Sequence, residues 1–236
     1  TAYGDGFMYK GTGSTGIITV GNLVMDGGLM SHANGVGDVF NVDGAMTVGT
    51  GGARIYAKQG AIRIYSDISG SGVLTNLLPD NNNAAQKLWI HSSSNTFDGN
   101  IINNGRLELF DDANLNFTIG ASGVNNGISN GSAGTQLHTI FSGDFVFDLT
   151  GAGTDIGDSW ALVTTVPAST YYTSTFTVSG FSDQLDGTWY LNNGTAEYLF
   201  DTSSGALSVV PEPSAALLGG LGLLCLLFRR RFCVEE

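Results

Sequence analysis

The sequence predicts an all-β protein, with a β-solenoid-like N-terminal part, a small antiparallel β module after it, and one C-terminal transmembrane helix. Three observations carry this reading. The 236 residues include 35 glycines but only 4 prolines, a glycine density that sits badly in helix interiors and lacks the proline of collagen. Short β-branched or apolar runs recur between those glycines. One uncharged stretch, 215–228, lies near the C-terminus, just before three consecutive arginines.

In the first 75 residues, runs such as Ile17-Ile18-Thr19-Val20 and Val39-Phe40-Asn41-Val42 read as strands of four to six residues. Arg54-Ile55-Tyr56 recurs nine residues later as Arg63-Ile64-Tyr65. Alternation then turns Ile55, Ile62 and Ile64 inward and the Arg and Tyr side chains outward. Nine residues suit two successive sides of a solenoid turn, or equally a hairpin closed through Lys58-Gln59-Gly60. A polar loop, Pro79-Asp80-Asn81-Asn82-Asn83, precedes the next strand text at Lys87-Leu88-Trp89-Ile90.

The stretches Ile68-Ser69-Gly70-Ser71-Gly72-Val73-Leu74-Thr75, Leu88-Trp89-Ile90, Ser94-Asn95-Thr96-Phe97-Asp98-Gly99-Asn100-Ile101 and Asn104-Gly105-Arg106-Leu107-Glu108-Leu109 together resemble the autotransporter-associated β-strand repeat. The resemblance covers residues 68–109 and implies a coil of right-handed parallel β-helix. In such a coil apolar residues stack between rungs, while Gly and Asn occupy corners. The expected core here is Leu74, Leu88, Ile90, Phe97, Ile101, Leu107 and Leu109.

Residues 1–121 are therefore expected to form the solenoid-like region, and 122–136, rich in Gly, Asn and Ser, a long loop. From 137 to 210 the texture changes to aromatic-rich strands with turns every 8 to 15 residues, including Trp160-Ala161-Leu162-Val163-Thr164, Gly187-Thr188-Trp189-Tyr190-Leu191 and Ala196-Glu197-Tyr198-Leu199-Phe200. These predict an antiparallel module that closes the open end of the coil, where a bare rung would expose core and strand edges.

The tail, 211–236, has three parts: Pro211-Glu212-Pro213, the apolar stretch 215–228, and Arg229-Arg230-Arg231. Fourteen helical residues rise roughly 21 Å, short of the ~30 Å hydrocarbon layer, so such a span tilts little and leans on its flanks. The arginines orient it with its basic end cytoplasmic and the body across the membrane. The two prolines impose an extended, unpaired backbone before the span, the conformation an enzyme cleft needs in a peptide substrate. These parts in this order resemble the PEP-CTERM sorting signal of Gram-negative exopolysaccharide producers. The resemblance implies recognition by exosortase, a membrane enzyme that cuts near Pro211, Glu212 and Pro213. The acidic end after the arginines, Glu235-Glu236, departs from the pattern.

Charge supports the same division. The net charge is −12, and the tail, with three arginines and the acids Glu212, Glu235 and Glu236, is neutral. The whole imbalance lies in residues 1–210, which argues against a nucleic-acid partner and suits solubility or a cation-rich setting. Both cysteines, Cys225 and Cys233, lie in the tail, so the body has no disulfide, thiol nucleophile or cysteine-ligated metal. The chain opens on Thr1 with neither initiator Met nor a basic–apolar leader, as expected of a mature or truncated form.

No hydrolase elbow, zinc-protease helix or phosphate loop occurs. His32, His91 and His138 are isolated and expected in surface or turn positions. Acidic pairs (Asp38 with Asp43, Asp111 with Asp112, Asp144 with Asp148, Asp155 with Asp158) fit turn chemistry, and Gly35-Val36-Gly37-Asp38 is one imperfect copy of a Ca²⁺-binding turn. No metal, cofactor or catalytic residue is expected. The enzymatic alternative is a β-helix polysaccharide lyase or hydrolase, with Arg54, Arg63 and Arg106 on one outer face and Tyr56 and Tyr65 stacking on sugars. The preferred expectation is an exported structural or adhesive protein of the cell surface or extracellular matrix, with exosortase, the membrane and exopolysaccharide as partners. A non-catalytic carbohydrate-binding module is the other alternative.

Overall fold

The structure, a computed structural model, describes residues 2–3, 7–10, 17–32, 39–79, 84–131, 138–165 and 169–211. Strands dominate them, and no helix occurs among them. The apolar stretch 215–228, expected as a transmembrane helix, lies outside the described residues; within them no helix is long and apolar enough to cross a membrane.

Successive strands wind through parallel sheets. The first sheet runs in pairing order Ala2–Tyr3, Ile17–Asp26, Val39–Val48, Ala61–Ile64, Leu88–Ile90, Arg106–Leu109, His138–Phe141, Thr170–Tyr172, with Asp67–Ser69 on the second half of Val39–Val48. The second contains Phe7–Lys10, Gly28–His32, Ala53–Tyr56, Leu74–Asn76, Ile101–Asn103, Ile128–Asn130 and Val163–Thr164. A third, Asn114–Thr118 with Asp144–Asp148 and Thr177–Val178, forms another side of the later rungs. Ala53–Tyr56 and Ala61–Ile64 pair with different sheets, so the nine-residue echo marks two sides of one turn and not a hairpin.

Alternation sets the interior. Leu74, Leu88, Ile90, Phe97, Ile101, Leu107 and Leu109 are all buried, as are Ile55, Ile62 and Ile64. The register stacks them rung on rung: Ile62, Leu88 and Leu107 align, then Ile64, Ile90 and Leu109. Polar ladders line the corners. Asn76 Nδ2 donates to Asn103 Oδ1 (2.8 Å), and Asn103 Nδ2 donates to Thr139 Oγ1 (3.0 Å). At another corner glycines stack because nothing else fits: a Cβ on Gly72 would lie 1.7 Å from the Gly49 carbonyl oxygen, and one on Gly99 2.0 Å from that of Gly72.

Two expectations change. The 122–136 segment contains the strand Ile128–Asn130, in parallel register with Ile101–Asn103; residues 132–137 lie outside the described residues. Its asparagines serve as corner groups: Asn126 Oδ1 accepts from the Thr118 amide (2.7 Å), and its Nδ2 donates to the Gly99 and Asn116 carbonyls. The second change concerns 137–210. His138–Phe141, Asp144–Asp148, Val163–Thr164, Thr170–Tyr172 and Thr177–Val178 pair in parallel with the coil, because their inward aromatics continue its core. Among the described strands of 137–210, antiparallel pairing is found in a sheet of Ser159–Ala161, Ala206–Val210, Glu197–Asp201, Thr188–Asn192 and Ser182–Asp183, in that order.

That sheet covers the last rungs. Phe145 packs against Phe117, Phe141 and Phe176, with ring centroids 4.8 to 4.9 Å apart. From the antiparallel sheet Phe200 reaches the same cluster 5.9 Å from Phe145, and Trp189 meets Phe176 at 5.7 Å. Edge-to-face geometry of this kind adds to the area the rings bury.

Candidate functional sites: the exit of the tail and the outer face of the coil

The first site is where the chain leaves the fold. Ala206–Val210 is an interior strand of the antiparallel sheet, paired with Glu197–Asp201 on one side and Ser159–Ala161 on the other. Beyond that ladder the Val209 amide donates to the Asp158 carbonyl (2.9 Å), and the Gly157 amide donates to the Val209 carbonyl (3.2 Å). The strand starts at Gly205, whose φ of +67° and 2.2 Å Cβ approach to the Val163 carbonyl require glycine. The Gly205 carbonyl accepts from the Leu162 and Val163 amides, which ties the sheet to the coil. Val209 is buried, and Pro211 is exposed. A cavity of about 230 Å³ flanks the exit, lined by Thr154, Ile156, Thr195, Glu197, Val209 and Val210 among others. Ile156 is 70% exposed. Of the sorting residues read from the sequence, Pro211 stands at this edge, while Glu212, Pro213 and Arg229, Arg230 and Arg231 lie outside the described residues.

The second site is the outward face of the first sheet. Parallel register brings Asn41, Arg63, Trp89, Glu108, Ile140 and Tyr171 into one row. The Arg63 guanidinium sits 3.8 Å from the Trp89 ring centroid and the Lys87 ammonium 4.4 Å from it. Lys87 Nζ also donates to Glu108 Oε2 at 2.7 Å. Beside this row Tyr65, His91 and Phe110 stack, with centroids 4.4 and 3.8 Å apart. Burial, then the Arg63 charge, lowers the pKa of His91 against weaker opposing pulls from Asp112 and Glu108. Burial and then Arg106 lower that of His138, whose ring lies 4.9 Å from Tyr171.

Arg54, Arg63 and Arg106 do not share a face. Arg54 and Tyr56 stand on the second sheet, with Arg54 donating to the Gly27 carbonyl, while Arg63, Tyr65 and Arg106 stand on the first. Trp89, the centre of the face, was not singled out in the sequence: alternation between Leu88 and Ile90 turns it outward, but its partner Arg63 is set by register alone. His32 is fully buried beside Phe40, not at the surface; His91 and His138 are half-buried.

Asp43, Asp148 and Asp158 do the local turn work expected of the acidic pairs, while Asp111 and Asp144 bond to threonines 64 and 33 residues away. Asp43 accepts from the Gly44 amide, Asp111 from Thr175 Oγ1, Asp144 from Thr177 Oγ1, Asp148 from Thr150, and Asp158 from the Asp155 amide. Asp38 lies outside the described residues. Among the described residues no group of three or more His, Cys, Asp or Glu is placed to hold a metal ion.

A capped β-coil whose last strand runs without a linker into Pro-Glu-Pro, an apolar stretch and a basic cluster defines a class of protein: a folded body carried by a C-terminal sorting signal. Residues 209–231 match the PEP-CTERM protein-sorting motif. That match implies an exported protein recognised by exosortase through a membrane-anchoring tail. No curated protein and no solved structure matches the chain.

Proposed function

We propose that the chain is the precursor of a structural or adhesive protein of the cell surface or extracellular matrix, anchored through residues 215–228 and processed by exosortase near Pro211-Glu212-Pro213. The body has no catalytic activity of its own in this reading, and residues 68–109 are one autotransporter-associated repeat within its coil. The observation that carries the proposal is the sorting-motif match at 209–231, which continues the last folded strand. The acidic, cysteine-free body is consistent with life outside the cytoplasm.

The test is the C-terminus of the surface-located protein by mass spectrometry. A terminus within residues 210–214 is expected, and retention of 214–236 would refute processing. Glu212→Ala is expected to leave membrane insertion intact and block maturation.

The Arg63–Trp89 face favours one second reading, a carbohydrate-binding module, since cation-capped aromatics offer both stacking and hydrogen-bond donors. Retention on exopolysaccharide without product release supports it; product release would overturn the non-catalytic reading.

A further inference from the structure

Resting on the exosortase reading, we propose that the exit end of the cap, centred on Ile156 beside Val210, is a docking surface for the processing enzyme, a second contact beyond the Pro-Glu-Pro motif. Distance argues first. Five peptide steps separate Val210 from Ala215, where the apolar stretch begins, and they span at most roughly 18 Å in any conformation. Val209 donates to the Asp158 carbonyl and accepts from the Gly157 amide, and its strand is paired along both edges within a sheet packed on the coil, so the body cannot retreat without breaking that ladder. Even a 100-residue domain has a radius of gyration of about 13 Å. An enzyme that seats Pro211–Pro213 in a cleft therefore meets the cap.

The composition of that end argues second. Ile156 is 70% exposed at the tip of the loop that hydrogen-bonds to Val209, and it borders the 230 Å³ cavity together with Val209 and Val210. Asp155, which is exposed, and Asp158, half-buried with its Oδ2 accepting from the Asp155 amide, flank it. Carboxylates around an apolar tip oppose burial in an anionic bilayer surface. They suit a protein partner that offers an apolar socket with a basic rim. The occupant is thus the enzyme and not the lipid.

The experiment follows conversion of full-length precursor to mature protein in membranes containing exosortase, by pulse-chase and mass spectrometry. Ile156→Asp is expected to slow conversion about tenfold, the effect of losing one apolar anchor. Its thermal midpoint should stay at the wild-type value because the side chain is exposed. Leu185→Asp, at the opposite end of the cap and 91% exposed, should convert at the wild-type rate. A flexible Gly/Ser spacer of about twelve residues after Val210, roughly 20 Å in mean span, should slow conversion and make it insensitive to Ile156→Asp, because docking and cleavage are uncoupled. Equal rates for Ile156→Asp and wild type would overturn the proposal, as would acceleration by the spacer, equal slowing by Leu185→Asp, or loss of enzyme-free vesicle binding in Ile156→Asp. Failure of the exosortase reading looks different: wild type and Glu212→Ala would both remain unconverted.

Discussion

Replacing Asn103 by alanine tests whether the polar ladder holds the rungs together or merely fills a corner. Asn103 is fully buried. Its Oδ1 accepts from Asn76 Nδ2 (2.8 Å) and from the Gly105 amide (3.1 Å), and its Nδ2 donates to Thr139 Oγ1 (3.0 Å). The side chain thus joins three successive rungs. Truncation removes three hydrogen bonds, each worth about 1 kcal/mol net, and leaves the Gly105 donor without its acceptor in a buried corner. Asn76 Nδ2 keeps the Arg106 carbonyl (3.0 Å), which limits the damage on that side. The expected loss is about 3 kcal/mol, a large fraction of the stability of an ordinary domain. The assay is urea unfolding of the full chain in detergent, followed by circular dichroism. Thr75→Ala, half-buried on the outward side of the neighbouring rung, serves as control and should stay within about 0.5 kcal/mol of wild type. A loss below about 1 kcal/mol for Asn103→Ala would refute the ladder as a stabilising device.

The glycine column gives a second prediction. Gly72→Ala places a methyl 1.7 Å from a backbone carbonyl that cannot turn aside, so the coil must open there, at a cost of about 3 kcal/mol or more; Gly21→Ala, with no atom within 4 Å, should be neutral or stabilise by up to about 1 kcal/mol. Equal urea midpoints for the two variants would sink the argument. The third concerns pH. His91 and His138 have lowered pKa values, so between their folded values and the ordinary histidine value of about 6.5 the unfolded chain binds more protons, and stability falls as pH drops through that window. The urea midpoint should therefore fall between pH 7.5 and 5, and His91→Phe, which keeps the ring between Tyr65 and Phe110, should flatten the slope; an unchanged slope would count against His91 as a source.

Much of the core was legible because inward residues of a strand repeat every second position whatever the strand pairs with. Leu74, Ile90, Ile101 and Leu109, expected inside the coil that the resemblance implies, fall on that alternation and are buried. Pairing partners are not written in the same code. Arg54 and Arg63 stand in near-identical local sequence yet occupy different sheets, because their nine-residue spacing is a step around the coil and not a step along it. The same ambiguity hid the parallel pairing of His138–Phe141 and Asp144–Asp148: alternation of aromatic and polar residues suits either direction, and only the open rung beneath them decides. Asn at a corner suggests local turn bonding, but apart from the Gly105 amide two residues on, the side-chain bonds of Asn103 and Asn126 run to residues 8 to 36 positions away. The tail was legible as a motif because its information is linear, and its relation to the cap was not, since that depends on Val209 lying between Tyr198 of one strand and the backbone of Gly157 and Asp158.

That lock bears on how the tail can be handled. Ladder hydrogen bonds between antiparallel strands lie perpendicular to the strand axis, and Ala206–Val210 has such bonds on both edges. A pull applied at Pro211 acts along the strand and loads the bonds to Ser159–Ala161 and Glu197–Asp201 together, in shear, instead of opening them one at a time. Ser159–Ala161 is itself inserted between Asp144–Asp148 and Val163–Thr164, two strands of the parallel coil. The load therefore passes directly into the rungs and their core, including the Phe145 cluster that Phe200 completes. A terminal hairpin would peel under the same pull, whereas an interior strand keeps the body folded while its tail is held in a membrane. The antiparallel sheet thus covers the bare last rung and holds Val210, the residue before Pro211, within the folded body.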